Sequence, residues 1–340
     1  MQPEPISALV TPRLLAHLCD PVDGSPLSLS DARPDGRGHI VAGWLVSTAG
    51  RRFPIVDGIP RFVENEDLQA VASFGHEWNT FNFIDFKANW LVHTVKNTFG
   101  STEAFKGKVV LDAGAGSGSQ TKWISEAGAA HVIALELSAS VDDVMQRNLA
   151  GVPNVDVVQC SIDRPPIKER SVQLVMCHNV IQHTPSVERT AKALWQLVAP
   201  GGEFVFNCYP MNDQGLLRRA RFHVYTLLRA FLSKRSYGFL MAYARTMSVL
   251  RMVPLLGWLL EKGHFMVRGD VPAGPDRLAR AYKAGVLNTF DCYGSHAYQH
   301  RKSDDEIKSL VRELAPRRVE NFDAYFARPQ PIGIALRLFK

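Results

Sequence analysis

An acidic residue that ends an apolar run and is followed at once by alternating glycines can hold a nucleoside, and Val109-Val110-Leu111-Asp112-Ala113-Gly114-Ala115-Gly116-Ser117-Gly118 has that form. Glycines at a strand-to-helix turn admit positive φ and let backbone N–H groups come close to a bound molecule. Nineteen residues beyond Asp112 a second apolar run begins, His131-Val132-Ile133-Ala134-Leu135-Glu136, and its terminal carboxylate can accept hydrogen bonds from a ribose diol. No Lys-Ser or Lys-Thr follows the glycines, which excludes the phosphate-binding loop of ATPases and GTPases. The G-x-G-x-x-G spacing of nicotinamide sites is not matched either.

The run Asp112 to Gly118 fits D-x-G-x-G-x-G, the first motif of the class I S-adenosylmethionine-dependent methyltransferases. Glu136 falls at their ribose-binding acid, and Leu197 to Phe206 falls at their late, glycine-bounded strand. The chain resembles that family, and the resemblance implies S-adenosyl-L-methionine as cofactor. It implies a cofactor site of Asp112, Gly114, Gly116, Gly118, Glu136 and Leu137, with Ser161, Ile162 and Asp163 at the adenine and no metal. It further implies that His178 and Asn179 run beneath the methionine end, that His183 stands at a position where the family often has histidine, and that Phe74 and Trp78 cover the cofactor. A segment D-x-Y…Y-x-H near the mouth of the family's substrate pocket is matched by Asp291, Tyr293, Tyr298 and His300. His178, His183, Tyr293, Tyr298 and His300 are therefore the candidate catalytic side chains, since a histidine can take up a proton near neutral pH. The other reading of His178 and His183 is that they cap a helix or bond a backbone carbonyl.

Such residues need a sheet to align them. From Lys108 to Phe206 apolar strands alternate with helices: Ser119 to Ala129, Ala139 to Asn148 and Pro185 to Leu197 as helices, and Val155 to Gln159, Val172 to His178 and Glu203 to Phe206 as strands. That order predicts a mostly parallel sheet covered on both faces, with ligands at the carboxyl ends of its strands. Ser303 to Leu314 reads as a capped helix, and Val319 to Tyr325 and Ile332 to Leu338 as an antiparallel pair completing the sheet. The expected fold is α/β: a Rossmann-like seven-stranded mostly parallel sheet, a small N-terminal strand-rich module and an inserted helical cap. The expected divisions are 1–68, 69–107 as linker and aromatic lid, 108–210 as cofactor-binding core, 211–287 as basic cap, and 288–340 as pocket segment and completion of the core.

Residues 1–68 resemble the zinc-ribbon-like domain that precedes some bacterial and ribosomal RNA methyltransferase domains. Only Cys19 of the two expected cysteine pairs is present, so a ribbon without metal is expected. The five cysteines are widely spaced, odd in number and without C-x-x-C, which argues against disulfides and cysteine-rich metal sites.

From Met211 to Asp270 ten Lys or Arg face three acidic residues, a local charge of +7 against +6 for the whole chain. Leu217, Ala220, Val224, Leu227, Leu228 and Phe231 recur at helical spacing, and Met247 to Leu260 is more apolar still, broken by Pro254 and Gly257. A solvent-facing cap, a cover for an acidic small molecule, a lipid or membrane contact and a homodimer surface all remain open for this segment. Nucleic acid is disfavoured, because stacking aromatics and a known RNA module are absent. With 340 residues and 46% hydrophobic content the chain can build a large core. No signal segment or membrane span is read, so a cytoplasmic location is expected. The leading expectation is methyl transfer to a small acidic or lipid-like acceptor, at oxygen or sulfur. An RNA methyltransferase and a non-catalytic cofactor-binding regulatory or assembly protein are the alternatives.

Overall fold

Among the described residues of the computed structural model, β-branched and aliphatic runs bounded by glycine and polar turns supply eleven strands, which join into a single sheet. The structure describes residues 10–35, 39–64, 68–211, 216–267, 271, 275–294 and 298–340. The strands are β1 (Leu27–Pro34), β2 (Ile40–Ser47), β3 (Arg52–Val56), β4 (Ile59–Phe62), β5 (Val109–Ala113), β6 (His131–Glu136), β7 (Val155–Cys160), β8 (Val172–Cys177), β9 (Val198–Phe206), β10 (Arg318–Glu320) and β11 (Leu336–Phe339). Their order is β1-β2-β3-β4-β7-β6-β5-β8-β9-β11-β10.

The centre, β7-β6-β5-β8-β9, is parallel throughout, and β11 and β10 add an antiparallel pair beyond β9. These seven strands are the Rossmann-like sheet expected from the sequence. Every residue of β6 and β7 is buried, as a sheet covered on both faces requires. Alternate side chains feed two apolar cores: Leu111, Ile133, Leu135 and Val158 enter one, and Val110, Val132, Ala134 and Val157 the other. All five cysteines are free and buried.

Two expectations are corrected here. Of the stretch Val319 to Tyr325 only Val319 and Glu320 pair, within the strand Arg318–Glu320; Asn321 then takes a left-handed φ of 64° and a short helix, Phe322–Phe326, follows. The zinc-ribbon-like resemblance is not supported. Strands β1 to β4 form an antiparallel meander whose last strand pairs in parallel with β7, so they extend the central sheet. Where a ribbon would join its two knuckles through metal, Arg51 from one turn bonds Asp20 at 2.6 Å and also Asp23 in the other. Among the described residues no group of three or more His, Cys, Asp or Glu could hold a metal ion.

By its contacts the chain divides into two compact units, Met1–Tyr209 with Tyr298–Lys340, and Pro210–Ala297. The second is helical: Leu216–Leu232, Tyr237–Leu250, Pro254–Lys262 and Arg277–Tyr293. The break that proline and glycine imply within Met247 to Leu260 falls at Arg251 to Val253, with Pro254 opening the next helix. Gly285 lets the helices Tyr237–Leu250 and Arg277–Tyr293 approach closely, since a Cβ there would lie 2.9 Å from the Ser248 hydroxyl. Among the described residues no helix is long and apolar enough to cross a membrane.

Candidate active site

The parallel strands β5 and β6 end side by side, with Asp112 opposite Ala134 and Ala113 opposite Leu135. This brings the carboxylates of Asp112 and Glu136 to the same edge, with the glycine turn between them. Gly114, Gly116 and Gly118 have φ of 81°, 59° and 75°, the left-handed conformation that side chains disfavour. Gly118 opens the helix Ser119–Glu126, whose first turn returns two donors to Asp112: Gln120 Nε2 at 2.8 Å and Thr121 Oγ1 at 2.6 Å. Asp112 is buried, and desolvation, opposed by these two bonds and reinforced by the charge of Glu136, raises its pKa to about 6.

Glu136 accepts the Gly116 N–H at 2.7 Å on one oxygen and the Ser138 N–H at 2.8 Å on the other. Each oxygen keeps a lone pair, and the carboxylate is thereby fixed against the turn. Ser140 Oγ donates to the Gly116 carbonyl at 2.7 Å, so the turn and the segment after β6 are cross-linked from both sides.

At the end of β7, Ser161 donates to Asp163 at 2.5 Å, and Asp163 is also paired with Arg189. The Ser161 oxygen is left as an acceptor. Ile162 packs into the apolar core on one face of the sheet. The Leu137 carbonyl accepts from Gln159 Nε2 at 3.1 Å, and Gln159 in turn accepts from Arg61 at 2.7 Å. Arg61 also binds Asp142 at 2.5 Å. Arg61, Gln159 and Asp142 lay beyond sequence reasoning, because nothing local says that β4 pairs with β7.

The segment expected as a lid forms the helix Leu68–Thr80, and it divides its aromatic residues between two places. Trp78 lies on the glycine turn, where a Cβ on Gly116 would meet its ring at 3.0 Å. Gly75 permits this approach, since its own Cβ would stand 2.9 Å from that of Ala139. Phe74 instead packs edge-on against His183, with ring centroids 5.8 Å apart.

The loop after β8 carries the remaining candidates. His178 Nε2 bonds the Gly333 carbonyl at 3.0 Å, and burial lowers its pKa, so it is a neutral ring with one nitrogen committed. Asn179, with φ of 59°, pairs reciprocally with Asn207 at the end of β9: its N–H donates at 2.6 Å and its side-chain oxygen accepts at 2.7 Å. His183 Nδ1 lies 3.2 Å from the Tyr298 carbonyl, and its ring meets Tyr209 edge-on at 5.7 Å. The rings of Tyr298 and His300 stack at 6.0 Å, and the His300 N–H donates to the Gln182 carbonyl at 2.8 Å. The backbone thus gathers His183, Tyr298 and His300 at one place.

Gln182, fully buried beside them, makes no side-chain hydrogen bond among the described residues at either its amide oxygen or its nitrogen, nor does His300 Nε2. Most buried polar atoms in folded proteins are hydrogen-bonded, to protein or to ordered water. Gln182 was absent from the sequence-derived candidates, because a glutamine between an apolar residue and a histidine gives no local signal.

Tyr293 corrects the expectation of one continuous pocket segment. Asn288 to Tyr293 form the last turns of the helix Arg277–Tyr293, and the Tyr293 hydroxyl donates to the His264 carbonyl inside the helical unit. Only 1% exposed and packed on Tyr225, it is a core residue of that unit with its hydroxyl already committed. Tyr298 and His300 belong to the other unit, and residues 295–297 lie outside the described residues.

Residues 111–206 match a family model described as a methyltransferase domain. Curated relatives include a ubiquinone biosynthesis O-methyltransferase of Aromatoleum aromaticum, 28% identical over 44% of this chain and 65% of its own length. Another of that name, from Cronobacter sakazakii, is 24% identical over 61% and 85%, and a malonyl-[acyl-carrier protein] O-methyltransferase of Marinomonas is 30% identical over 34% and 43%. The chain thus spans 65% of the Aromatoleum relative and less than half of the Marinomonas one. Among solved structures, an S-adenosylmethionine-dependent methyltransferase from Mesorhizobium loti is similar at 17% identity and a TM-score of 0.38, over 70% of this chain and 93% of that one. The strand order and the matched domain are those of the class I Rossmann-like methyltransferase fold, and they support S-adenosylmethionine as the cofactor.

Proposed function

We propose that this chain transfers a methyl group from S-adenosylmethionine to an oxygen, or alternatively a sulfur, of a small acidic or lipid-like acceptor. The observation that carries this reading is the pair of buried carboxylates, Asp112 and Glu136, on adjacent strand ends with the left-handed glycine turn between them. Glu136 has lone pairs left for a ribose diol, and Ser161 has an acceptor left for an adenine amino group. Asp112 provides a negative charge for a cofactor that carries a cationic sulfonium and an α-ammonium group. That sulfonium supplies an activated methyl when bound, so the protein's task is alignment and exclusion of water. Trp78 covers the turn, and Phe74 closes the side facing His183.

His183 and His300 would accept an acceptor's proton; Tyr298 stacks on His300, and the Gln182 carbonyl holds the His300 N–H. His178 serves the site as a neutral ring anchored to Gly333. The names of the curated relatives, O-methyltransferases of ubiquinone biosynthesis and of malonyl-[acyl-carrier protein], support oxygen as the atom methylated.

The test is to incubate the purified protein with S-adenosylmethionine labelled at the methyl group and with cell extract separated into polar metabolites, lipids and RNA. Label in acidic small molecules or lipids supports the reading. Label confined to RNA overturns the substrate class, and failure to bind S-adenosylmethionine or S-adenosylhomocysteine overturns the cofactor.

A further inference from the structure

The helical unit wears its hydrophobicity partly inside out. In the helix Pro254–Lys262 only Gly257 is buried, whereas Leu255, Trp258 and Leu259 are 71%, 55% and 51% exposed. Spaced one, four and five residues from Pro254, they form one outward apolar stripe. The preceding turn extends it, with Met252 and Val253 about half exposed at 48% and 53%. Single exposed apolar residues are ordinary, but a contiguous patch that includes an outward tryptophan marks a surface that meets another apolar phase.

The charge of the unit points to that phase. Residues 210–297 contain thirteen Lys or Arg and five Asp or Glu, a net of +8, while the rest of the chain has 26 against 28, a net of −2. Arg245, on the helix that precedes the stripe, and Lys262, at its far end, are exposed, and elsewhere in the unit Arg235 lies over the half-exposed ring of Phe231 at 4.0 Å. A partner that accepts leucine and tryptophan side chains and also attracts a basic surround is an anionic bilayer: apolar groups enter the acyl boundary while the cations stay at the head groups. A protein groove would satisfy the apolar stripe but gives no reason for the whole unit to carry the chain's positive excess.

We propose that the segment Val249–Lys262 of the helical unit docks on the surface of an anionic lipid membrane, with Leu255, Trp258 and Leu259 inserted at the interface. The binding needs no methyl transfer, so it can fail or hold independently of the catalytic reading.

The experiment is sedimentation of the full chain with phosphatidylcholine vesicles, with and without about a third phosphatidylglycerol, at low and high salt. The protein should sediment with the anionic vesicles, more weakly at high salt, and little with the neutral ones. The variant Leu255→Ser/Trp258→Ser/Leu259→Ser should lose about tenfold or more in partitioning, given the apolar area withdrawn from the interface. Arg245→Glu/Lys262→Glu should lose binding while keeping the stripe. Unchanged circular dichroism and S-adenosylhomocysteine affinity certify the fold. If the triple variant does not fold, Trp258→Ser alone is compared by intrinsic fluorescence, where the vesicle-induced blue shift should disappear. No sedimentation at low salt, equal sedimentation of the variants, or self-association in vesicle-free solution that the triple substitution abolishes would each overturn the proposal. The last result would assign the face to a second copy of the chain.

Discussion

Asp112 is a carboxylate that the fold holds against its own stability, so Asp112→Asn should yield a more stable protein that binds its cofactor less well. Burial is the largest influence on its proton affinity, the hydrogen bonds from Thr121 and Gln120 oppose it, and the charge of Glu136 adds to it; the result is a pKa of about 6 against an ordinary 3.8. A group that binds its proton more tightly in the folded state favours folding at pH below its unfolded value, and that contribution is lost as pH rises through the folded value. For Asp112 the window runs from 3.8 to about 6. Above it, ionisation costs the fold about 3 kcal/mol, at ~1.4 kcal/mol for each tenfold change in proton affinity. Asparagine keeps the shape, can accept from Gln120, and can donate to the Thr121 hydroxyl, which then turns to accept.

At about pH 7.5 the variant should therefore be ~1–3 kcal/mol more stable, or ~2–6 °C higher in melting temperature, and the difference should shrink toward zero near pH 4. Melting curves of both proteins across this pH range, without ligand, measure the first effect. Calorimetric titration with S-adenosylmethionine measures the second, where the variant should bind at least about tenfold more weakly for loss of a charge-assisted contact. Melting curves that run parallel at all pH values, or a variant that melts lower at neutral pH, would refute the reasoning.

Gly114→Ala should destabilise by ~2–4 kcal/mol, because alanine at a φ of 81° is strained and its Cβ would fall 2.8 Å from Val180 Cγ2 and closer still to Cγ1. Adding Val180→Ala should recover only the overlap, leaving the conformational part visible in the melting temperature. Gln182→Leu should raise stability by ~1–3 kcal/mol by removing two buried polar atoms that have no partner among the described residues, while raising the acceptor's KM. A fall in stability with unchanged KM would make Gln182 a structural residue. Arg51→Ala should lower the melting temperature and increase proteolysis near Asp20 to Gly24, since Asp20 is left buried without its guanidinium partner. Resistance equal to that of the parent would show that the clamp does not hold these turns together.

The strand, turn and helix that carry the candidate cofactor residues were legible along the chain because they are local. Strand, glycine turn and helix follow one another within Val109 to Glu126, and Glu136 ends the next strand, so period and turn chemistry suffice to read them. The capped helix Asp304–Leu314 was legible for the same reason, with Ser303 and Glu306 forming its capping box. The strand expected from Val319 to Tyr325 was not, since the apolar residues Val319, Phe322, Ala324 and Tyr325 keep no strict alternation, and the left-handed Asn321 ends the strand and opens a short helix.

Tertiary structure alone decided what depends on residues far apart in sequence. The pairing of β4 with β7 places Arg61 against Gln159 and Asp142. The return of the chain after the helical unit brings His300 to Gln182, while the preceding Tyr293 is committed to the interior of that unit. By itself the sequence determined the alternation of strands and helices along the core and put Asp112 and Glu136 at strand ends, because hydrophobic period and turn chemistry act over a few residues. Which aromatic rings and histidines share a site, and which apolar face is left outward, were set by packing between distant segments, which no local pattern encodes.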